Sequence, residues 1–293
     1  MADPLTLMAV HAHPDDEAIG TGGILARAAA EGLRTVLVTC TGGEVGEIAP
    51  DTGATPENLG EIRKRELLEA TEILGVTHLE MLGYRDSGMM GTLDNEHPDS
   101  FYKADLNAAI LRMVSLVRKY RPAVIVTYDE NGFYGHPDHI NAHRVAVGAY
   151  HRAGDAGLED GQEPFSPFKL YFTAVAKSNF LEFGRLLREM GIDGPGGRTL
   201  DEAEPEGDAV QAEADMPWGV PDELITTVVD VSDYTAQKRK ALWAHATQMG
   251  PEVFFAKLPD HVFEQLFGRE QFRLMQSRVD ISLPETDLFA GLR

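Results

Sequence analysis

The 293-residue chain has one cysteine, Cys40, so no disulfide can close within it and no cysteine-rich zinc motif can form. Any metal must be held by histidine and carboxylates. Basic residues are also scarce, with 26 Lys and Arg against 47 Asp and Glu for a formal net charge of -21. Neutralising phosphates takes clustered cations, so neither nucleic acid nor an anionic membrane is an expected partner. No apolar run approaches the roughly 18 residues that a membrane span requires. The opening MADPLTLMAV has no basic n-region or small-residue cleavage site, and a soluble, cytoplasmic protein is expected. A Gly-x-Ser-x-Gly elbow is missing as well, which removes a serine-hydrolase reading.

What is present alternates. Apolar runs at 5–11, 34–40, 78–82, 122–128 and 168–176 read as strands, several with the continuous β-branched character of buried parallel strands. Between them, 24–32, 57–75, 105–120 and 139–154 carry apolar residues at helical spacing, and Gly32, Gly75 and Gly154 suit helix ends. The pattern predicts an α/β fold, a doubly wound, mostly parallel sheet covered on both faces. From 193 to 223 ten acids, one Arg and several Gly and Pro break the pattern, which reads as a loop or lid. A strand over 224–231 and a helix over 233–249 follow. We read one domain over 1–293: a core over 1–190, an acidic loop over 191–223 and a C-terminal elaboration over 224–293.

Ligands of open parallel sheets bind beyond the carboxyl ends of the strands. Four polar clusters fall there: HAHPDDE (11–17), TGGEVGE (41–47), GYRDSGM (83–89) and YDENGFYGHPDH (128–139). One shared site is the economical reading. His13 and Asp16, three apart across a strand-to-helix turn, suit a zinc-like ion, but a catalytic zinc takes three protein ligands and keeps a place for water. His136, His139 and His143 are the candidates for the third. Taken alone, Asp15 or Asp16 would serve as a helix N-cap. The recurrence of His-Pro-Asp at 13–15 and 136–138, each time between a strand and a helix, argues for the metal instead.

Two motifs mislead. GTGGIL (20–25) has Leu25 where a dinucleotide fingerprint needs its third glycine, and the second strand ends in Thr39 and Cys40 without a ribose-binding acid. His139 and His143 have zincin spacing, yet Ile-Asn-Ala between them lacks the catalytic Glu. Cys40, at a strand end, reads as a small buried apolar residue.

AHPDDE and GHPDH, together with VTCTGGEVGEI, IRKREL, YRDSGM and AHATQ (244–248), resemble the LmbE-like, or PIG-L, zinc N-deacetylases over most of the chain outside the acidic segment. The resemblance implies a Rossmann-like fold, one Zn2+ held by His13, Asp16 and His139, and Asp15 as general base. It further implies His136, protonated, as electrostatic stabiliser or acid, Tyr134 as a mobile group at the carbonyl oxygen, and Arg63, Asp86 and Met89 as sugar contacts. Within the family the chain is similar to the mycothiol-pathway deacetylase of N-acetylglucosaminyl-inositol and to the mycothiol S-conjugate amidase. The expected partner is therefore a small amino-sugar or thiol-conjugate substrate, with a homo-oligomer left open. A non-catalytic sugar-binding homologue is the competing expectation, and a base and an acid beside a metal speak against it.

Overall fold

The structure, a computed structural model, describes residues 5–192 and 219–293. Most of the segment expected as a loop or lid, 193–218, lies outside the described residues. Five parallel strands, β1 (Thr6–His11), β2 (Arg34–Thr41), β3 (His78–Tyr84), β4 (Val124–Thr127) and β5 (Lys169–Ala174), lie in the order β3-β2-β1-β4-β5. The expected strand at 224–231 forms as β6 (Thr227–Asp230), but at the outer edge of the sheet. Between it and β5 lies β7 (Arg269–Ser277), antiparallel to both. No strand was expected there. REQFRLMQS carries two charged arginines and a glutamate, and Phe272 is its one fully buried large apolar side chain, so its alternation is weak.

The helices, in chain order, are α1 (Asp16–Gly20), α2 (Gly22–Ala30), α3 (Leu59–Leu74), α4 (Leu106–Tyr120), α5 (Gly132–Gly135), α6 (Pro137–Arg152), α7 (Lys177–Glu189), α8 (Thr235–Ala244), α9 (Phe254–Lys257) and α10 (Asp260–Phe267). Alternate residues of β1 feed two cores. Leu7 and Ala9 pack with Leu25 of α2, Leu67 of α3 and Leu242 of α8, whereas Met8 and Val10 pack with Met113 of α4 and Val145 of α6. Helices therefore cover both faces, and every residue of β1 and β2 except Arg34 is buried. The chain leaves β1 toward β2 on one side and β4 lies on the other, so the topological switch falls between β1 and β4. A crevice opens at their carboxyl ends.

The glycine-rich stretch after β1 has a structural use. The first amides of α2, from Gly23 and Ile24, donate to the Glu270 carboxylate at 2.8 and 2.9 Å, and Lys238 pairs with the same group at 2.6 Å. A β7 side chain thus occupies the place where a dinucleotide fold would hold phosphate. Gly23 has no room for more, since a Cβ there would come within 2.5 Å of Val231.

The C-terminal elaboration is fastened by a second buried pair. Lys169 of β5, fully buried, meets Glu285 at 2.5 Å, and the Tyr171 hydroxyl donates to Glu285 at 2.6 Å. Glu285→Leu is expected to cost about 3–5 kcal/mol by leaving the ammonium without a counter-charge. A urea-denaturation midpoint measures this, and an unchanged midpoint would contradict the assignment.

Candidate metal centre

The loop after β1 does not make a capped helix start. Asp15 occupies the N-cap position of α1, but its side chain makes no cap hydrogen bond and its backbone sits at φ 112°. A positive φ in a non-glycine residue costs of order 1–3 kcal/mol and persists only where the surroundings over-determine it. Phe133, at φ 69°, is a second such residue on the other side of the crevice. Next to it, Gly132 packs so tightly on α6 that an added Cβ would lie 2.6 Å from His139 Cβ.

The consequence of this folding is a convergence of donors. His13 Nδ1 lies 3.3 Å from His139 Nε2 and 3.5 Å from Asp16 Oδ2, and His139 Nε2 lies 3.5 Å from Asp16 Oδ1. Bonds of 2.0–2.1 Å to a tetrahedral ion set its ligand atoms about 3.3–3.4 Å apart. The His13–His139 separation and the approach of one Asp16 oxygen to each ring are close to the edges of such a tetrahedron. Of the three later histidines, His139 joins His13 and Asp16. His143, one turn further along α6, turns its Nδ1 to the Tyr128 carbonyl at 2.9 Å.

Asp138, which the motif reading passed over, orients the first of these ligands. Fully buried, it accepts from His13 Nε2 at 3.1 Å, from the Ser87 amide at 2.9 Å and from the Ser87 hydroxyl. A carboxylate at Nε2 requires the proton there and leaves the Nδ1 lone pair facing the centre. Asp86 Oδ1 stands 3.6 Å from the same Nε2. Burial opposes charging the His13 ring, but hydrogen bonds to Asp138, Asp16 and Asp86 outweigh it and hold its pKa well above the usual range. The field of three carboxylates that favours an extra proton also favours a divalent cation. Burial likewise opposes the charge on Asp16, which the imidazoles of His139 and His13 nevertheless keep ionised. Tyr128 stacks on the His139 ring, centroids 4.2 Å apart. Asp138→Asn is expected to weaken metal affinity about 10–100-fold. A chelator-competition titration reads this out, and wild-type affinity would contradict the role.

The groups beside the centre differ in protonation. Burial pushes the Asp15 carboxyl up to about 6, with Arg63 opposing the shift and Asp16 adding to it. His136 Nδ1 accepts the Asp138 amide at 3.2 Å, so in the neutral ring Nε2 bears the hydrogen. Burial and the neighbouring His13 and His139 push its pKa down to about 4. The ring is therefore neutral near pH 7, where a protonated one was expected, and it offers an N–H rather than a coordinating lone pair. An atom of His136 lies within 4.8 Å of donors from His13 and His139. Tyr134 is 44% exposed, with its ring centroid 5.0 Å from that of His139.

The expected sugar contacts divide. Arg63 is 3% exposed and spends its guanidinium on the Pro14 carbonyl, on Asp15 Oδ2 at 3.1 Å and on the Gly43 carbonyl at 3.0 Å. Asp86 accepts from the Gly88 amide at 2.8 Å. Both belong to the network around the centre. Met89 stays outside it, 49% exposed. A cavity of about 810 Å³ opens at the outer side of β3, lined by Glu44, Lys64 and Arg85 among others, and none of the three metal donors lines it. Cys40, as expected, is fully buried, and burial raises its thiol pKa far above the usual range.

Comparison with known proteins gives the family. Residues 8–150 match the PIG-L family, described as GlcNAc-PI de-N-acetylase. A protein of Thermomonospora curvata named 1D-myo-inositol 2-acetamido-2-deoxy-alpha-D-glucopyranoside deacetylase is 42% identical over 303 aligned positions, covering 98% of this chain and 96% of that protein. Among solved structures, the N,N'-diacetylchitobiose deacetylase from Pyrococcus horikoshii superposes with a TM-score of 0.62 at 18% identity, covering 94% of this chain and 85% of the other. A 4-carboxy-2-hydroxymuconate hydratase from Pseudomonas putida gives 0.61 at 20%, covering 95% and 99%. The fold thus carries more than one chemistry, and those two likenesses speak for architecture alone. Full-length identity with the deacetylase, and the family match over both His-Pro-Asp motifs, place the chain in the PIG-L family.

Proposed function

We propose that the protein is a zinc-dependent hydrolase that removes the N-acetyl group from a glucosaminyl-inositol. The observation that carries the reading is that His13 Nδ1 and His139 Nε2 lie 3.3 Å apart and each lies 3.5 Å from one oxygen of the Asp16 carboxylate, with a second carboxylate, Asp15, next in sequence. When bound there, a zinc ion brings the pKa of water toward about 7 and polarises the acyl oxygen. Asp15, at about 6, is suited to take the water proton near neutral pH. The His136 Nε2–H and the Tyr134 hydroxyl are donors for the charge that develops on the acyl oxygen. Asp15, once protonated, returns the proton to the departing amine. The substrate assignment rests on the 42% identity with the Thermomonospora curvata deacetylase.

One feature favours a second reading. Met89, Met90 and Leu93 are 49%, 52% and 91% exposed on the loop that Ser87 ties to Asp138. An apolar rim of this kind suits a bulkier acyl portion, as in an S-substituted acyl-cysteine amide of glucosaminyl-inositol. Purified, zinc-loaded protein offered N-acetylglucosaminyl-inositol and an S-conjugate side by side separates the two. Release of acetate from the first supports deacetylation, cleavage of the second alone supports the amidase, and hydrolysis of neither overturns both.

A further inference from the structure

We infer that the segment after α8, His245 to Gln248, clamps the Asp15 turn from two sides, with Glu17 and His245 as positioning residues for the Asp15 carboxylate. The inference rests on the reading of Asp15 as the general base.

The first arm reaches the Asp15 backbone. Its amide donates to Glu17 Oε2 at 3.0 Å, and His245 Nε2 donates to Glu17 Oε1 at 2.6 Å. Both side chains are fully buried, and among the described residues the other ring nitrogen of His245 has no hydrogen-bond partner. The contact with Glu17 is the one hydrogen bond of the His245 ring among the described residues. Glu17 is the third acid in a row, next to two carboxylates it would repel. The His245 ring, arriving from 228 positions away, supplies the opposing polarity and fixes where Glu17 points.

The second arm reaches the side chain. Thr247 donates from its amide and hydroxyl to the two oxygens of Glu66, at 2.8 and 2.6 Å. Glu66 lies three residues from Arg63 on α3, on the same helical face. Arg63 in turn grips the Pro14 carbonyl and Asp15 Oδ2. One short segment therefore anchors both the group that holds the Asp15 amide and the helix that holds its carboxylate. A residue at φ 112° keeps an unfavourable backbone only under such constraint. The C-terminal elaboration accordingly does more than extend the sheet: it sets the aim of a side chain at the far end of β1.

His245→Gln and His245→Asn test this, because they carry the same amide and differ in reach. The Gln side chain extends about as far as Nε2 of the imidazole, whereas Asn stops one bond short. His245→Asn should lower kcat at least 10-fold with KM within twofold and metal content unchanged, and His245→Gln should recover it to within threefold of wild type. In the metal-free proteins, hydrogen exchange at the Asp15 amide should quicken about tenfold in the Asn variant alone. Equal losses in both variants, or wild-type kcat and exchange in His245→Asn, would overturn the clamp. If exchange behaves as expected while wild type hydrolyses neither substrate, the clamp stands and the hydrolase reading is what fails. Should His245→Asn not fold, Thr247→Val, which removes one bond of the second arm, is expected to lower kcat about threefold at unchanged KM. No change there would equally overturn the clamp.

Discussion

His13→Ala is expected to lose bound metal and hydrolysis together. The imidazole links two parts of the site, with Nδ1 among the converging donors and Nε2 on Asp138. Its removal takes away one of the three proposed ligands and leaves the buried Asp138 without its ring partner. Loss of an ion worth several kcal/mol to the transition state predicts a fall in kcat/KM of about 1000-fold or more. Metal content by plasma emission and turnover on N-acetylglucosaminyl-inositol should fall in parallel. Chelation of the wild-type protein should reproduce the loss, and added zinc should restore activity to wild type and not to the variant. A variant that retains both one ion per chain and full turnover would remove the basis for the proposed function.

Asp15→Asn separates binding from chemistry. The amide keeps the shape of the carboxylate, tolerates positive φ better than most residues and can still accept from Arg63. It cannot take a proton from water. Metal content should stay at the wild-type level while kcat falls about 100-fold or more, the usual contribution of a positioned general base. KM should change little, because the group acts on the water rather than on the sugar. Wild-type turnover in this variant would overturn Asp15 as the base without making a base of His136. That residue has no free lone pair with which to accept a proton, since Nδ1 is engaged by the Asp138 amide and Nε2 bears hydrogen.

The sheet was legible in outline because its central strands are buried on both faces. LTLMAVH and RTVLVTC have few polar interruptions, and the helices between them carry apolar residues at their own period. β7 escaped because its inward positions alternate Glu270 with Phe272, and Glu270 faces the core only because it receives the amides of α2 and the Lys238 ammonium. A buried acid reads as a surface acid until its partners are known. The glycines of GTGGIL have the same ambiguity, which only the position of the Glu270 carboxylate removes.

Local spacing pointed to candidate metal donors and to their residue types, since His13 and Asp16 share one turn and a second His-Pro-Asp opens α6. Spacing left His136, His139 and His143 equivalent. What distinguishes them is tertiary: His136 is the N-cap of α6, with Nδ1 turned back on the helix, and His143 faces the end of β4. The separation of donors by 3.3–3.5 Å, the proton on His13 Nε2 and the bent turn at Asp15 all follow from the order of strands, which brings β1 and β4 side by side and the C-terminal segment beneath them. Composition and periodicity act between near neighbours in the chain. The hydrogen bonds from His13 to Asp138 and from His245 to Glu17 join residues more than a hundred positions apart, and only the folded packing decides which of them meet.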